Sequence, residues 1–194
     1  MKQPIGIILA GGQATRMGGG DKGLLRLGDT TIIDHVIARL DPQVDHIALN
    51  ANGDPSRFDL GLPVIADTID GFAGPLSGVL AGLDYAASRD ATHIVTAAAD
   101  TPFFPCDLVP MLLLAAEESA TGMALAASPS GRQPTFGLWP VALRDDLRTA
   151  LEGGLRKVVQ WTSRHDARMA EFPDDTAFFN VNTPDDLAAA QGML

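Results

Sequence analysis

Residues 5–9, Ile-Gly-Ile-Ile-Leu, carry no polar side chain and run straight into a stretch rich in glycine. A strand that is apolar on both faces has to be covered on both. That places it centrally in a parallel sheet, between layers of helix. The rest of the chain agrees with this reading. Strand signals at Asp45–Asn50, Pro63–Asp67 and His93–Ala98 alternate with helical patterns at Thr30–Leu40, Gly78–Ala87 and Pro105–Ser119. Met123–Ser128 and Thr135–Leu138 read as strands about the turn PSGRQP, Val141–Leu151 and Leu155–Ser163 as helices, and Arg168–Phe172 as a short strand. Thr183–Gln191 opens with Thr183, Pro184 and Asp186, a capping-box arrangement, and reads as the last helix. Such alternation predicts an α/β fold, a three-layer α/β/α sandwich with a mostly parallel, Rossmann-like sheet.

Open sheets of this kind bind ligands beyond the carboxyl ends of their strands. The four early strands end at Gly11–Gly12, Asn50, Asp67 and Asp100, which predicts one shared cleft. No repeat, low-complexity tract or linker divides the 194 residues, so a single domain is expected.

The segment after the first strand reads LAGGQATRMGGGDKGLL over residues 9–25, with five glycines between Gly11 and Gly20 and the cations Arg16 and Lys22. Glycine lets a backbone approach a ligand closely, and clustered inward N–H groups form an anion site. The chain has a formal charge of −10, so an anionic substrate has to be captured locally by such a loop, a few cations and a metal ion. The same charge argues against nucleic-acid partners and a polybasic membrane anchor. Lys22 stands between Asp21 and Gly23, so the Walker ending Gly-Lys-Ser/Thr is absent. Gly18, Gly20 and Gly23 match G-x-G-x-x-G but lie too far beyond the strand to serve as a dinucleotide fingerprint. The combination of glycines and two cations suggests a site for a polyphosphate, most simply a nucleoside triphosphate.

Asp100 follows the apolar run IVTAAA and precedes Thr101-Pro102. A carboxylate there suits Mg²⁺, which takes few protein carboxylates and completes its shell with water and phosphate oxygens. Asp before Thr-Pro is also ordinary turn chemistry. Asn50 and Asp67 carry oxygens able to accept from the N1–H and amino group of guanine, and each also reads as a turn or cap residue. Asn182 before Thr-Pro reads equally as a helix cap. The four histidines show no metal spacing, His35 reads as structural, and the lone Cys106 as a small buried residue. One cysteine and no long apolar run fit a cytoplasmic protein.

The string LAGG, RMG and DK resembles the signature of the MobA-like nucleotidyltransferases, nearest the members that guanylylate the molybdenum cofactor. The resemblance continues through LNANGD at 49–54, VIAD at 64–67, GPLSGVLAGL at 74–83, ADTPFFP at 99–105 and FFNVNTPDDL at 178–187, and so covers nearly the whole chain. It implies the nucleotide-diphospho-sugar transferase type of fold, with a nucleotide-binding part over about 1–104 and an acceptor-side part over about 105–194. It implies transfer of GMP from GTP to the terminal phosphate of molybdopterin, with release of pyrophosphate. Leu9, Ala10, Gly11, Gly12, Lys22, Asn50, Asp67, Gly78 and Asp100 would bind the nucleotide. Arg16, Lys22 and Asp100 would be catalytic, Asp100 would hold Mg²⁺, and Asn180 and Asn182 would lie on the acceptor side. Arg132, Thr135, Arg156 and Lys157 are further candidates there. A molybdenum-insertion protein and apo-molybdoenzymes are the implied protein partners. Cytidylyl transfer to the same cofactor, nucleotidyl transfer to a sugar 1-phosphate and a non-catalytic nucleotide carrier stay open at this point.

Overall fold

The structure, a computed structural model, describes residues 3–11, 21–69, 71 and 74–194. Its elements are β1 (Ile5–Leu9), β2 (Arg26–Leu27), β3 (Thr30–Thr31), α1 (Ile32–Leu40), β4 (Ile47–Asn50), β5 (Val64–Ile65), α2 (Pro75–Ala87), β6 (His93–Ala98), α3 (Leu108–Ala116), β7 (Ala124–Ser128), β8 (Gly131–Pro140), α4 (Arg144–Glu152), α5 (Val158–Thr162), β9 (Arg168–Glu171) and α6 (Pro184–Gln191). The main sheet has seven strands in the order β5-β4-β1-β6-β8-β7-β9. Only β8 runs against its neighbours, so the sheet is mostly parallel, as expected. Within the β7–β8 hairpin, Leu125 pairs with Gly137 but Ala126 pairs with Gln133. The skipped stretch contains Pro134, which has no N–H to give to a ladder.

β1 explains the layering. Successive strand side chains point to opposite faces. Ile8 packs with Ile33, Val36 and Leu40 of α1 and with Leu108 and Leu112 of α3. Ile5 and Ile7 pack on the other face with Val79, Leu80 and Leu83 of α2 and with Leu147 and Trp161 of α4 and α5. α2 lies close against the sheet because of its glycines. A Cβ on Gly82 would come within 2.8 Å of both Ile7 and Ile94, and one on Gly78 within 2.3 Å of Asn50 Oδ1. Those two glycines are four residues apart and so share one helix face. Trp139 on β8 donates its indole N–H to Thr96 Oγ1 on β6 at 2.8 Å, which satisfies both polar groups in the core.

β2 and β3 form a separate two-stranded ribbon that the sequence pattern did not reveal. His35 Nε2 donates to Leu27 O (3.0 Å), lies 3.2 Å from Thr30 Oγ1 and ties the ribbon to α1, the structural role expected of it. Cys106 is exposed rather than buried, with its sulfur 3.2 Å from an Arg39 nitrogen. The expected helix over Leu155–Ser163 begins only at Val158, because Lys157 is extended (φ −86°, ψ 121°). No helix among the described residues is long and apolar enough to cross a membrane.

Candidate active site

The sheet changes direction between β1 and β6. The chain leaves β1 toward β4 on one side and later returns to β6 on the other. That is the position where an open α/β sheet leaves a crevice. The strands stay paired one residue past their ends: Ala99 N–H donates to Leu9 O (3.1 Å) and Ala10 N–H to Asn50 O (2.9 Å). Beyond these bonds lies a solvent-open cleft lined by Leu9, Ala10, Asp21, Lys22, Gly23, Ile33, Phe58, Ala99 and Asp100.

Lys22 reaches this cleft through a short turn, Lys22–Leu24. The turn sits against the sheet because Gly23 is buried; a Cβ there would come 3.3 Å from Ile33 Cβ and 3.4 Å from Ala99 O. Burial pushes the Asp100 carboxyl above its ordinary value, and the positive charge of Lys22 works against that rise. The only side-chain contact described for that carboxylate is a long one, to Thr101 Oγ1 at 3.4 Å. A desolvated carboxylate with so little hydrogen bonding is a site that gains from a cation.

Asn180 and Asn182 border the cleft through Lys22 and Thr101, the neighbour of Asp100. The segment between them is held by Val181, which is fully buried with Leu27, Ile32 and Ala190. Val181 N–H donates to Asp100 O at 2.8 Å. Lys22 Nζ donates to Asn182 Oδ1 at 2.8 Å, and Thr101 Oγ1 donates to Asn180 Oδ1. Thr183 and Asp186 form the expected capping box of α6, and Asp186 also accepts from Asn182 N–H at 2.9 Å. This segment is thus a strap that touches Lys22 and the residues around Asp100.

A second rim, adjoining the cleft at Ala10, comes from the ends of β4 and β5. Asn50 is 3% exposed; its amide donates to Asp67 Oδ1 (3.0 Å) and Ile65 O (3.2 Å). Asn52 donates to Asp67 Oδ2 (2.9 Å) and accepts from Asp67 N–H (2.8 Å). Asp67 therefore presents a partly exposed carboxylate fixed by two amides, with lone pairs to spare. Asn50 Oδ1 faces Gly78, and a Cβ on Gly11 would lie 3.9 Å from it. Leu9, Ala10, Gly11, Lys22, Asn50, Asp67, Gly78 and Asp100 all fall around the strand ends. Gly12 and Arg16 lie outside the described residues.

Sequence reasoning missed Asn52, Thr101 and the Asp21–Arg57 pair (2.5 Å). Asn52 stood in plain view within NANGD but resembled a turn residue. Thr101 read as part of the Asp-Thr-Pro turn. Arg57 meets Asp21 across 36 residues, and no local pattern signals such a contact.

Fold and cleft together are those of an open, doubly wound α/β protein with a ligand crevice at its strand ends. The family model of the MobA-like NTP transferase domain matches residues 6–168, and the chain belongs to that family. A relative from Mesorhizobium japonicum, named molybdenum cofactor guanylyltransferase, is 49% identical over 97% of this chain and 95% of its own length. Among solved structures, the molybdopterin-guanine dinucleotide biosynthesis protein A of Archaeoglobus fulgidus superposes with a TM-score of 0.74 at 23% identity, covering 97% of each chain. A Mycobacterium tuberculosis protein crystallised with manganese superposes with a TM-score of 0.70 at 19% identity, over the whole of both chains.

Proposed function

We propose that this chain transfers GMP from GTP to the terminal phosphate of molybdopterin, releasing pyrophosphate and forming the guanine dinucleotide cofactor. The observation that carries the reading is the meeting of Lys22 and Asp100 in one cleft at the β1–β6 crevice. The chain is also about half identical to a protein named for this activity. The ammonium of Lys22 is held in place by Asn182, so it can meet phosphate oxygens without a reorganisation cost. Asp67, fixed by Asn50 and Asn52, is suited to accept from the donor edge of guanine. Arg16 and the N–H groups at Gly11 and Gly12 are assigned to the phosphates from their place in the sequence.

The described donors fit a magnesium-type site. No group of three or more His, Cys, Asp or Glu side chains suited to a metal occurs among the described residues. Mg²⁺ needs few protein ligands when phosphate and water complete its shell, and the desolvated carboxylate of Asp100 would hold it. Bound there, the cation would offset the charge of the nucleotide phosphate oxygens. No general base is required, because the attacking phosphate is already ionised at neutral pH. Positioning and electrostatics then supply the catalysis. Asn180 and Asn182 border the acceptor side, the cytoplasm is the assigned compartment, and a molybdenum-insertion protein and apo-molybdoenzymes are the assigned partners.

The test is incubation with molybdopterin, Mg²⁺ and each nucleoside triphosphate in turn, with pyrophosphate release as readout. Release with GTP well above CTP supports the reading. Release with CTP alone, release only with a sugar 1-phosphate as acceptor, or nucleotide binding without any release would replace it.

A further inference from the structure

Among the described residues two carboxylates line the cleft, and the reading above uses only Asp100. The other, Asp21, directly precedes Lys22. Its negative charge would repel a triphosphate approaching that lysine. Asp21 occupies the N-cap position of the Lys22–Leu24 turn, yet its side chain makes no cap bond there. Its oxygens meet Arg57 instead. Arg57 Nε donates to Asp21 Oδ2 at 2.5 Å, and Nη2 lies 3.5 Å from Oδ1.

Arg57 is itself fixed on three sides. Nη2 donates to Asn52 O at 2.7 Å and Nη1 to Asp54 O at 2.6 Å. Its guanidinium carbon sits 4.4 Å from the ring centroid of Phe58, and Phe58 lines the cleft. The fork is therefore aimed before Asp21 arrives, which is the arrangement in which an arginine loses least freedom on pairing. Asn52 joins this staple to the base-side rim: its backbone carbonyl orients Arg57 while its side chain orients Asp67.

We propose that Arg57 is a positioning residue for the nucleotide, neutralising and pinning Asp21 so that the turn carrying Lys22 accepts a triphosphate. The inference rests on the guanylyl-transfer reading. It predicts an effect on GTP affinity rather than on the chemical step, and one that depends on the charge of Asp21.

The experiment uses the full chain with GTP and Mg²⁺, measuring Kd by calorimetry, KM and kcat with molybdopterin, and Tm as a check on folding. For Arg57→Ala, Kd and KM for GTP rise about tenfold, the size expected when a partly sheltered charge loses its partner, while kcat changes little. The loss shrinks at high salt, because it is electrostatic. Combining Arg57→Ala with Asp21→Asn restores most of the affinity, since the unpaired charge is then gone. Arg57→Lys, with its charge kept but its fork lost, falls between. An unchanged KM in Arg57→Ala overturns the proposal. So does a double variant that binds GTP no better than the single one, which would make Arg57 a purely structural residue. If Arg57→Ala does not fold, Arg57→Lys with and without Asp21→Asn gives the same comparison. Failure of the parent protein to bind GTP would instead refute the guanylyl-transfer reading on which this rests.

Discussion

The two rims of the cleft both use asparagine amides, but to opposite ends. On the β4–β5 rim, Asn50 and Asn52 donate to Asp67 and build a closed polar network that leaves one carboxylate ready for a ligand. On the strap, Asn182 accepts from Lys22 and Asn180 accepts from Thr101, so the amides hold Lys22 and the neighbour of Asp100. On the proposed function, the first rim would serve recognition and the strap catalysis. Substitutions on the first should therefore act through KM and nucleotide choice, and substitutions on the second through kcat.

The largest effect expected lies between the rims. Asp100→Ala should lower turnover about a thousandfold, the scale of losing a principal electrostatic element of a transition state. The same change should raise Tm, because burial already disfavours the charged carboxylate in the folded chain. Thermal melts beside steady-state rates test both halves. Activity that survives would remove Asp100 from the site.

Next is Asp67→Ala. It should raise KM for GTP by about tenfold to a hundredfold, as when a hydrogen bond to a charged group is lost, and erode the preference over CTP while leaving kcat nearly intact. A fall confined to kcat would break the division of labour between the rims. Asn182→Ala should do the reverse: kcat falls about tenfold as Lys22 loses its fixed partner, and KM for GTP moves little. If KM alone moved, the strap would belong to recognition too.

The smallest effect is an acid one on the strap. The backbone N–H of Asn182, first, and the Thr183 hydroxyl, next, hold the Asp186 carboxyl below its ordinary value of 3.8. A carboxylate stabilised in this way contributes fully above that ordinary value, and its contribution is lost as pH falls through the lower folded value. Protection factors against hydrogen exchange at Asn182 and Thr183, taken relative to the intrinsic rate at each pH, should therefore fall on acidification before the core opens. In Asp186→Asn that pH dependence should disappear; its persistence would assign the effect elsewhere.

Much of this was readable from residues because it is local. β1 declared itself by lacking polar groups on both faces, and α6 by its Thr183–Asp186 cap. The strand ends could be placed near one another because parallel sheets align them. What escaped was set by packing or by contacts distant in sequence. β2 and β3 have two residues each, too few for a period to register. Only Val64–Ile65 of the expected Pro63–Asp67 strand pairs with β4, because the chain past Ile65 turns to give Asp67 to Asn52. β8 extends from Gly131 to Pro140 because pairing partners exist on both sides, not because its residues favour strand. The link from Asn182 to Lys22 spans 160 residues and follows from the burial of Val181, which no motif foretells.

GTP titrated calorimetrically into the parent protein and into Asp100→Ala, each with and without Mg²⁺, tests most directly whether Lys22 and Asp100 face one bound triphosphate. Tightening of GTP by Mg²⁺ in the parent, absent from the variant, is the expected result. Equal tightening in both proteins would mean that the cation and its nucleotide are held somewhere other than this cleft.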